Sequence, residues 1–325
     1  MGSDRGYSSM SFSIPLFFGV FPKAVAITLP WGDRVYAPAG LTAGGTEWKE
    51  IDYWSILSNS NAADFGDLSE QKTNVAAVSS GTRALTGGGW TSSSTASAKI
   101  EYNTIATTGN ASTFGNLTVN RILTAGVSSV TRGVFMGGES SPGSTSYNTL
   151  DYSTIATTGN ATDFGDLTAT YKNQHGGISN NTRGITGGGQ RAGSGSYTNA
   201  IDYITIATTG NATDFGDLVA ASGSLAATGG ETYGFFGGGY ESSVSNRIQR
   251  ITVATTGNAS DYCDLSLGRY YPGAAHNGTY ATWFGGYTTA WVNNIDRMTQ
   301  SSSSNAADFG DLIRAKGNVG GCSGG

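Results

Sequence analysis

The chain has 325 residues, 50 of them glycine and only 13% charged, with a formal net charge of −5. With 18 Lys+Arg against 23 Asp+Glu it lacks the clustered basic face that nucleic-acid binding needs, and no apolar run reaches membrane-spanning length. Two cysteines, Cys263 and Cys322, exclude a disulfide framework and leave at most one bridge.

In chain order, residues 1–31 stand apart. "SFSIPLFFGVFPKAVA" is apolar and ends in Ala24-Val25-Ala26, the pattern of an export signal with its cleavage site. Against that, Asp4 and Arg5 cancel each other in the leader, and Pro15, Pro22 and Lys23 interrupt the apolar part. The segment reads instead as an apolar arm that docks on a neighbour.

From residue 32 onward the chain repeats. "TIATTGNATDFGDL" stands at 154–167 and again at 205–218, with a near copy at 104–117. Aligned on the aromatic of this element, Phe65, Phe114, Phe164, Phe215, Tyr262 and Phe309 recur at intervals of 47 to 51 residues. Glycine clusters recur in step, at 87–89, 137–138, 187–189, 237–239 and 285–286.

The fourth unit predicts four short strands. They are 173–180, the returning 184–189, a β-branched 200–210, and a last one opening at "FGDLVAA", with Asn- and Asp-rich turns between. No segment holds a helical period. Four strands in about fifty residues, repeated, is a propeller blade. "GDRVYAPAG" (32–40) matches a second strand and "GNVGGCSGG" (317–325) a first. Arg34 lies 17 residues before Ile51, as Arg183 lies 18 before Ile201. The expectation is therefore an all-β, six-bladed propeller over 32–325, closed by pairing of N- and C-terminal strands in one blade.

The order of elements resembles the kelch repeat: a strand ending in Gly-Gly, a variable loop, a strand carrying Tyr, then an aromatic followed by Leu. Here these are Gly188-Gly189, Tyr203, Phe215 and Leu218, and one unit earlier Gly137-Gly138, Tyr152, Phe164 and Leu167. Phe or Tyr stands where kelch usually has Trp, and the Tyr-to-aromatic spacing is longer. Near-identical repeats poor in charge also resemble kelch-like repeat proteins of bacteriophages. That resemblance implies a virion component, a tail or head fibre tip or a capsid decoration, with residues 1–31 held by other virion proteins.

Several motifs compete for a chemical role. "DFG" recurs at 64–66, 163–165, 214–216 and 308–310, but the glycine-rich loop, strand lysine and catalytic loop of a kinase are missing, so it reads as a turn with Phe packed between blades. Asn160, Thr162, Asp163 and Asp166 could seed a calcium loop, yet Thr113 and Asn116 replace both carboxylates in the near copy. Asn110, Asn160, Asn211 and Asn258 lie in glycosylation sequons whose letters a turn needs anyway. The two histidines, His175 and His276, have no partner at metal-ligand spacing. Glu70, Glu101, Glu139, Glu231 and Glu241 are scattered, whereas glycosidase chemistry needs two facing carboxylates. The expectation is no enzyme, no metal and no cofactor.

What varies between units is the loop after the glycines. These loops carry Ser, Gly, Thr and Asn punctuated by Trp48, Trp90, Tyr147, Tyr197, Tyr240, Tyr287 and Trp291. Rigid aromatics among small polar residues are the chemistry of recognition surfaces, and aromatic faces suit sugar rings. Blade connections are expected to bring Arg121, Lys172, Arg269 and Arg314 to the same side. The expected ligand is a host-surface glycan, with no nucleic acid and no membrane span; the oligomeric state is open. The alternative is a secreted or surface-anchored bacterial lectin or adhesin.

Overall fold

A computed structural model describes residues 29–172, 176–192 and 195–325, with backbone only at 171 and 172. Most of the expected docking arm, residues 1–28, and His175 lie outside the described residues. Among the described residues there are strands and turns and no helix, so no helix is long and apolar enough to cross a membrane.

Six antiparallel sheets form the six blades of a β-propeller. From the axis outward, the second blade has strands Ala76–Ser79, Arg83–Gly87, Lys99–Thr104 and Ser112–Asn116. The third begins at Ala125–Ser128, the fourth at Gly176–Ser179, the fifth at Ala226–Gly229 and the sixth at Gly273–His276. The first blade draws on both ends of the described chain: Cys322–Gly324 pairs antiparallel with Arg34–Pro38, with Tyr36 opposite Cys322. Neighbouring innermost strands touch all the way round the axis.

Burial explains the strand chemistry. Second strands such as Arg183–Gly187 are buried at every position but the first, third strands such as Ala200–Thr205 bury two successive residues, here Ile201 and Asp202, and then Ile204, and outermost strands such as Thr213–Asp217 bury little besides their Phe. In the fourth blade the third strand is Ala200–Thr205, shorter than the expected 200–210. The β-branched "IATTG" leaves the sheet because its polar backbone is claimed by the preceding blade. Gly210 N donates to Phe164 O (2.8 Å) and Ala212 N to Asp166 O (2.8 Å). Asn211 Oδ1 accepts from Asp166 N (3.0 Å).

The same latch joins every pair of neighbours, with Asn110, Asn160, Asn258, Asn305 and Asn61 in the role of Asn211. The glycine after each Phe is required by close approach. A Cβ on Gly165 would lie 2.5 Å from Gly210 O, and one on Gly115 2.0 Å from Gly159 O. The repeated sentence is thus the clasp between blades. Its five Phe residues are buried in five of six inter-blade hydrophobic clusters, as expected; in the sixth, between the fifth and sixth blades, Tyr262 is partly buried instead.

A second device is polar. Each third strand carries a bulge immediately before a buried polar residue, an acid in five of the six blades, as between Leu150 and Asp151 or Ile295 and Asp296, and bulges re-aim side chains. The acid turns toward a cation on the connector arriving from the previous blade. The pairs are Lys72–Glu101 (3.2 Å), Arg121–Asp151 (2.8 Å), Arg269–Asp296 (2.6 Å) and Lys316–Asp52 (2.8 Å), with both side chains fully buried in each. At one interface the positions hold Ser222 and Gln249, both neutral and both buried. Gln249 Oε1 still accepts from Val219 N (2.6 Å), as Asp151 Oδ2 accepts from Thr118 N (2.9 Å). Charge is lost there from both partners together. That is what desolvation demands, since a lone buried charge is far more costly than none.

Third, an arginine in each blade stacks on a tyrosine. Arg34, Arg83, Arg132 and Arg183 on second strands lie over Tyr53, Tyr102, Tyr152 and Tyr203 on third strands. In the last two blades the residues change places, with Arg250 over Tyr233 and Arg297 over Tyr280. Arg34, Arg83, Arg132, Arg183 and Arg297 also reach carbonyls of a neighbouring blade's turn, as Arg132 Nη1 does to Ala207 O (2.8 Å) and Arg297 Nη1 to Ile56 O (2.9 Å).

Candidate functional site

The axial channel is lined by Ala, Gly and Ser from all six innermost strands, and its two ends enclose cavities of about 50 Å³ and 70 Å³. That is room for a few waters, not for a sugar. One mouth is covered by Trp31, whose ring lies 4.8 Å from His276. Burial drives His276 down to about 3, so its imidazole is neutral at physiological pH. Beside Trp31 lies a cleft of about 470 Å³ on that same face, lined by residues including Leu29, Glu231, Asn277 and Gln300. Among the described residues no three His, Cys, Asp or Glu come together as metal ligands. Cys263 and Cys322 are free thiols in the fifth and first blades; burial raises the Cys263 thiol to about 11.

The opposite face is built from the variable loops and the connectors, which bond to each other: Gly239 N donates to Arg269 O (2.8 Å) and Arg269 N to Ser245 O (3.1 Å). The structure corrects the expected basic character of this face. Arg121 and Arg269 run beneath it, fully buried in their ion pairs. Arg314 is partly exposed but committed, held by both oxygens of Glu50 (2.7 and 3.1 Å) with its guanidinium 3.9 Å from the Trp48 ring centroid. The Lys172 side chain lies outside the described set.

Four of the seven expected site residues come together, joined by two that sequence reasoning passed over. Tyr197 and Tyr240 have ring centroids 6.0 Å apart, Tyr240 and Tyr270 5.9 Å, Tyr270 and Tyr287 5.4 Å, and Tyr287 and Trp291 5.1 Å. Tyr271 joins at 4.9 Å from Tyr270. All six rings are half-buried. The arc spans blades four to six. Its outer members sit on glycine seats: a Cβ on Gly223 would fall 2.4 Å from the Tyr197 ring, and one on Gly317 2.4 Å from Trp291.

The other three expected residues lie apart. Trp48 is a separate post, its Nε1 donating to Thr42 Oγ1 (2.9 Å) beneath Arg314. Trp90 belongs to the short strand Trp90–Thr91, which extends the outer edge of the first blade. Tyr147 opens the third strand of the third blade, opposite Tyr171.

The arc is not a requirement of the fold. Where the fifth and sixth blades place Tyr240 and Tyr287, the second and third place Trp90 and Glu139; where Trp291 closes its loop, Ala96 and Ser146 close theirs. Among the described residues no hydrogen bond engages the five tyrosine hydroxyls of the arc, whose rings are half-buried. Burial, reinforced by neighbouring tyrosines, raises Tyr197 and Tyr270 above the ordinary phenol range and keeps both hydroxyls protonated donors at neutral pH.

No protein-family model matches this chain, and no curated protein matches it. The propeller fold is compatible with a binding or adhesion role.

Proposed function

We propose that this protein is a non-enzymatic recognition protein whose loop face engages cell-surface glycans, and that it serves as a structural component of a virion, at a fibre tip or as a capsid decoration. The observation that carries the recognition reading is the division of labour within the repeat. The clasp, the ion pairs and the arginine–tyrosine stacks are reproduced around the ring, while aromatics of no structural necessity gather on one face. Aromatic bodies with a free polar tip suit a ligand that offers both an apolar face and hydroxyls.

The virion assignment is supported by the resemblance of the repeats to phage-encoded ones. In this reading residues 1–31 anchor the propeller to other virion proteins. Quantitative mass spectrometry of purified particles from the source tests the location: a fixed copy number per particle is expected, and absence from particles refutes it. Recognition is tested by binding of the purified, labelled protein to the host cell surface before and after periodate oxidation of surface sugars. Loss of binding after oxidation is expected, and unchanged binding refutes a glycan ligand.

A further inference from the structure

We infer that the ligand is an uncharged saccharide chain, bound along the aromatic arc of blades four to six, with Tyr271 as its anchor beside the channel mouth; this rests on the recognition reading above and narrows it to one half of one face and one ligand charge. Three observations carry it.

The first is charge. Acidic glycans are held by arginine and lysine forks. Four connector cations under this face are spent: Arg121, Arg269 and Lys316 are buried against Asp151, Asp296 and Asp52, and Arg314 is tied to Glu50. The six arc residues are uncharged, nearby Arg247 is paired with Glu241 at 3.0 Å, and Arg191, in the loop that carries Tyr197, is an exposed cation at the blade-four end of the arc.

The second is shape and polarity. Tyr197, Tyr240, Tyr270, Tyr287 and Trp291 form a continuous run with centroid steps of 5.1 to 6.0 Å and rings inclined by 52° to 81° to one another, an elongated aromatic surface that suits an extended chain better than a compact ligand. The tyrosine hydroxyls of the arc, unbonded among the described residues, supply donors and acceptors for sugar hydroxyls.

The third is strain. Connectors pass into the innermost strands through a left-handed residue: Asn74 (φ 57°), Leu123 (59°), Ser224 (57°), Tyr271 (61°) and Asn318 (55°). These backbones are bonded to one another around the mouth, Leu123 N to Asn74 O, Asn74 N to Asn318 O, Asn318 N to Tyr271 O and Tyr271 N to Ser224 O. Asn is suited to that conformation and a bulky aromatic is not. Two copies hold a bulky side chain there: Leu123 is buried with the core, whereas the Tyr271 ring is half-buried and joins the arc through Tyr270, so its strain points to a use at the surface.

The test titrates the full-length protein with neutral hexasaccharides of glucose, mannose and galactose, and with the galacturonic acid hexamer, by calorimetry at two salt concentrations. A neutral chain should bind with little salt dependence. Tyr240→Ala and Tyr287→Ala should each weaken it about tenfold, and Trp90→Ala and Tyr147→Ala should leave it unchanged. Tyr287→Phe keeps the packing and removes one hydroxyl, so it decides the matter should an alanine variant fail to fold; about a fivefold loss is expected. Tyr271→Asn should raise the thermal midpoint while weakening binding, a combination that a merely structural tyrosine would not give. Preferred, salt-sensitive binding of the acidic hexamer overturns the inference. So does loss confined to the Trp90 and Tyr147 variants, or a lower midpoint for Tyr271→Asn, while each leaves glycan recognition by the face intact. Failure of any saccharide to bind overturns both.

Discussion

Removing one member of a buried inter-blade ion pair should be more damaging than removing both. Arg121 Nη2 lies 2.8 Å from Asp151 Oδ2, and Nη1 donates to Thr149 O at 2.7 Å, with both side chains fully buried. At an effective dielectric near 20 the Coulomb attraction is about 6 kcal/mol, and desolvation of two buried charges takes back a comparable amount. The net worth of the pair against a neutral replacement is therefore small. Burial already pulls the Arg121 guanidinium below its ordinary range, with Asp151 acting the other way.

Asp151→Gln strips the guanidinium of its counter-charge and should destabilise by about 3–5 kcal/mol. Arg121→Ser strands the carboxylate and opens a void, with a loss of about 5 kcal/mol. The double variant copies Ser222 and Gln249 and should lose only about 2 kcal/mol, the contribution of the void. Urea denaturation of the four proteins closes the cycle. A double variant as unstable as the sum of the singles would refute the reasoning.

His276 is buried neutral, so its folded value of about 3 lies below the unfolded 6.5. Its contribution is complete above pH 6.5 and is lost as pH falls toward 3. His276→Ser, which copies Ser79 and Ser128 of other blades, should flatten the thermal midpoint between pH 6.5 and 4 relative to the parent; equal slopes would show that the imidazole does not titrate there. Gly165→Ala meets Gly210 O at 2.5 Å and should destabilise by about 2–4 kcal/mol in a urea melt. Gly143→Ala also has a positive φ but meets nothing within 4 Å, so it should lose only the strain, about 1–2 kcal/mol. Equal losses would mean that the clasp does not need close approach. Tyr271→Asn should gain about 1 kcal/mol by relieving the left-handed tyrosine, read in the same melts; no gain would remove strain as an argument.

The blades were legible because the chain aligns with itself: Phe164 and Phe215, in identical surroundings 51 residues apart, had to do the same work. The strand ends were less so. "IATTG" has strand propensity, but its backbone bonds go to the neighbouring blade, which local sequence does not reveal. The buried ion pairs left a readable trace in the acids at 52, 101, 151 and 296, which keep the period of the cations at 72, 121, 269 and 316, while 249 and 222 are neutral together. Reading the connector cations as surface groups missed it, because exposure cannot be told from spacing. Tyr270 and Tyr271 were overlooked for a related reason: they sit in a connector, whereas variability drew attention to the loops. Trp90 and Tyr147 belong to equally variable loops, but only the ring geometry separates their half of the face from the arc.

The most direct test of the recognition account is a crystal structure of the protein soaked with the tightest-binding neutral hexasaccharide. Sugar rings stacked over Tyr240, Tyr270 and Tyr287, with the reducing or non-reducing end against Tyr271, are the predicted result. Saccharide bound instead in the cleft beside Trp31 and Glu231, on the opposite face, would contradict it.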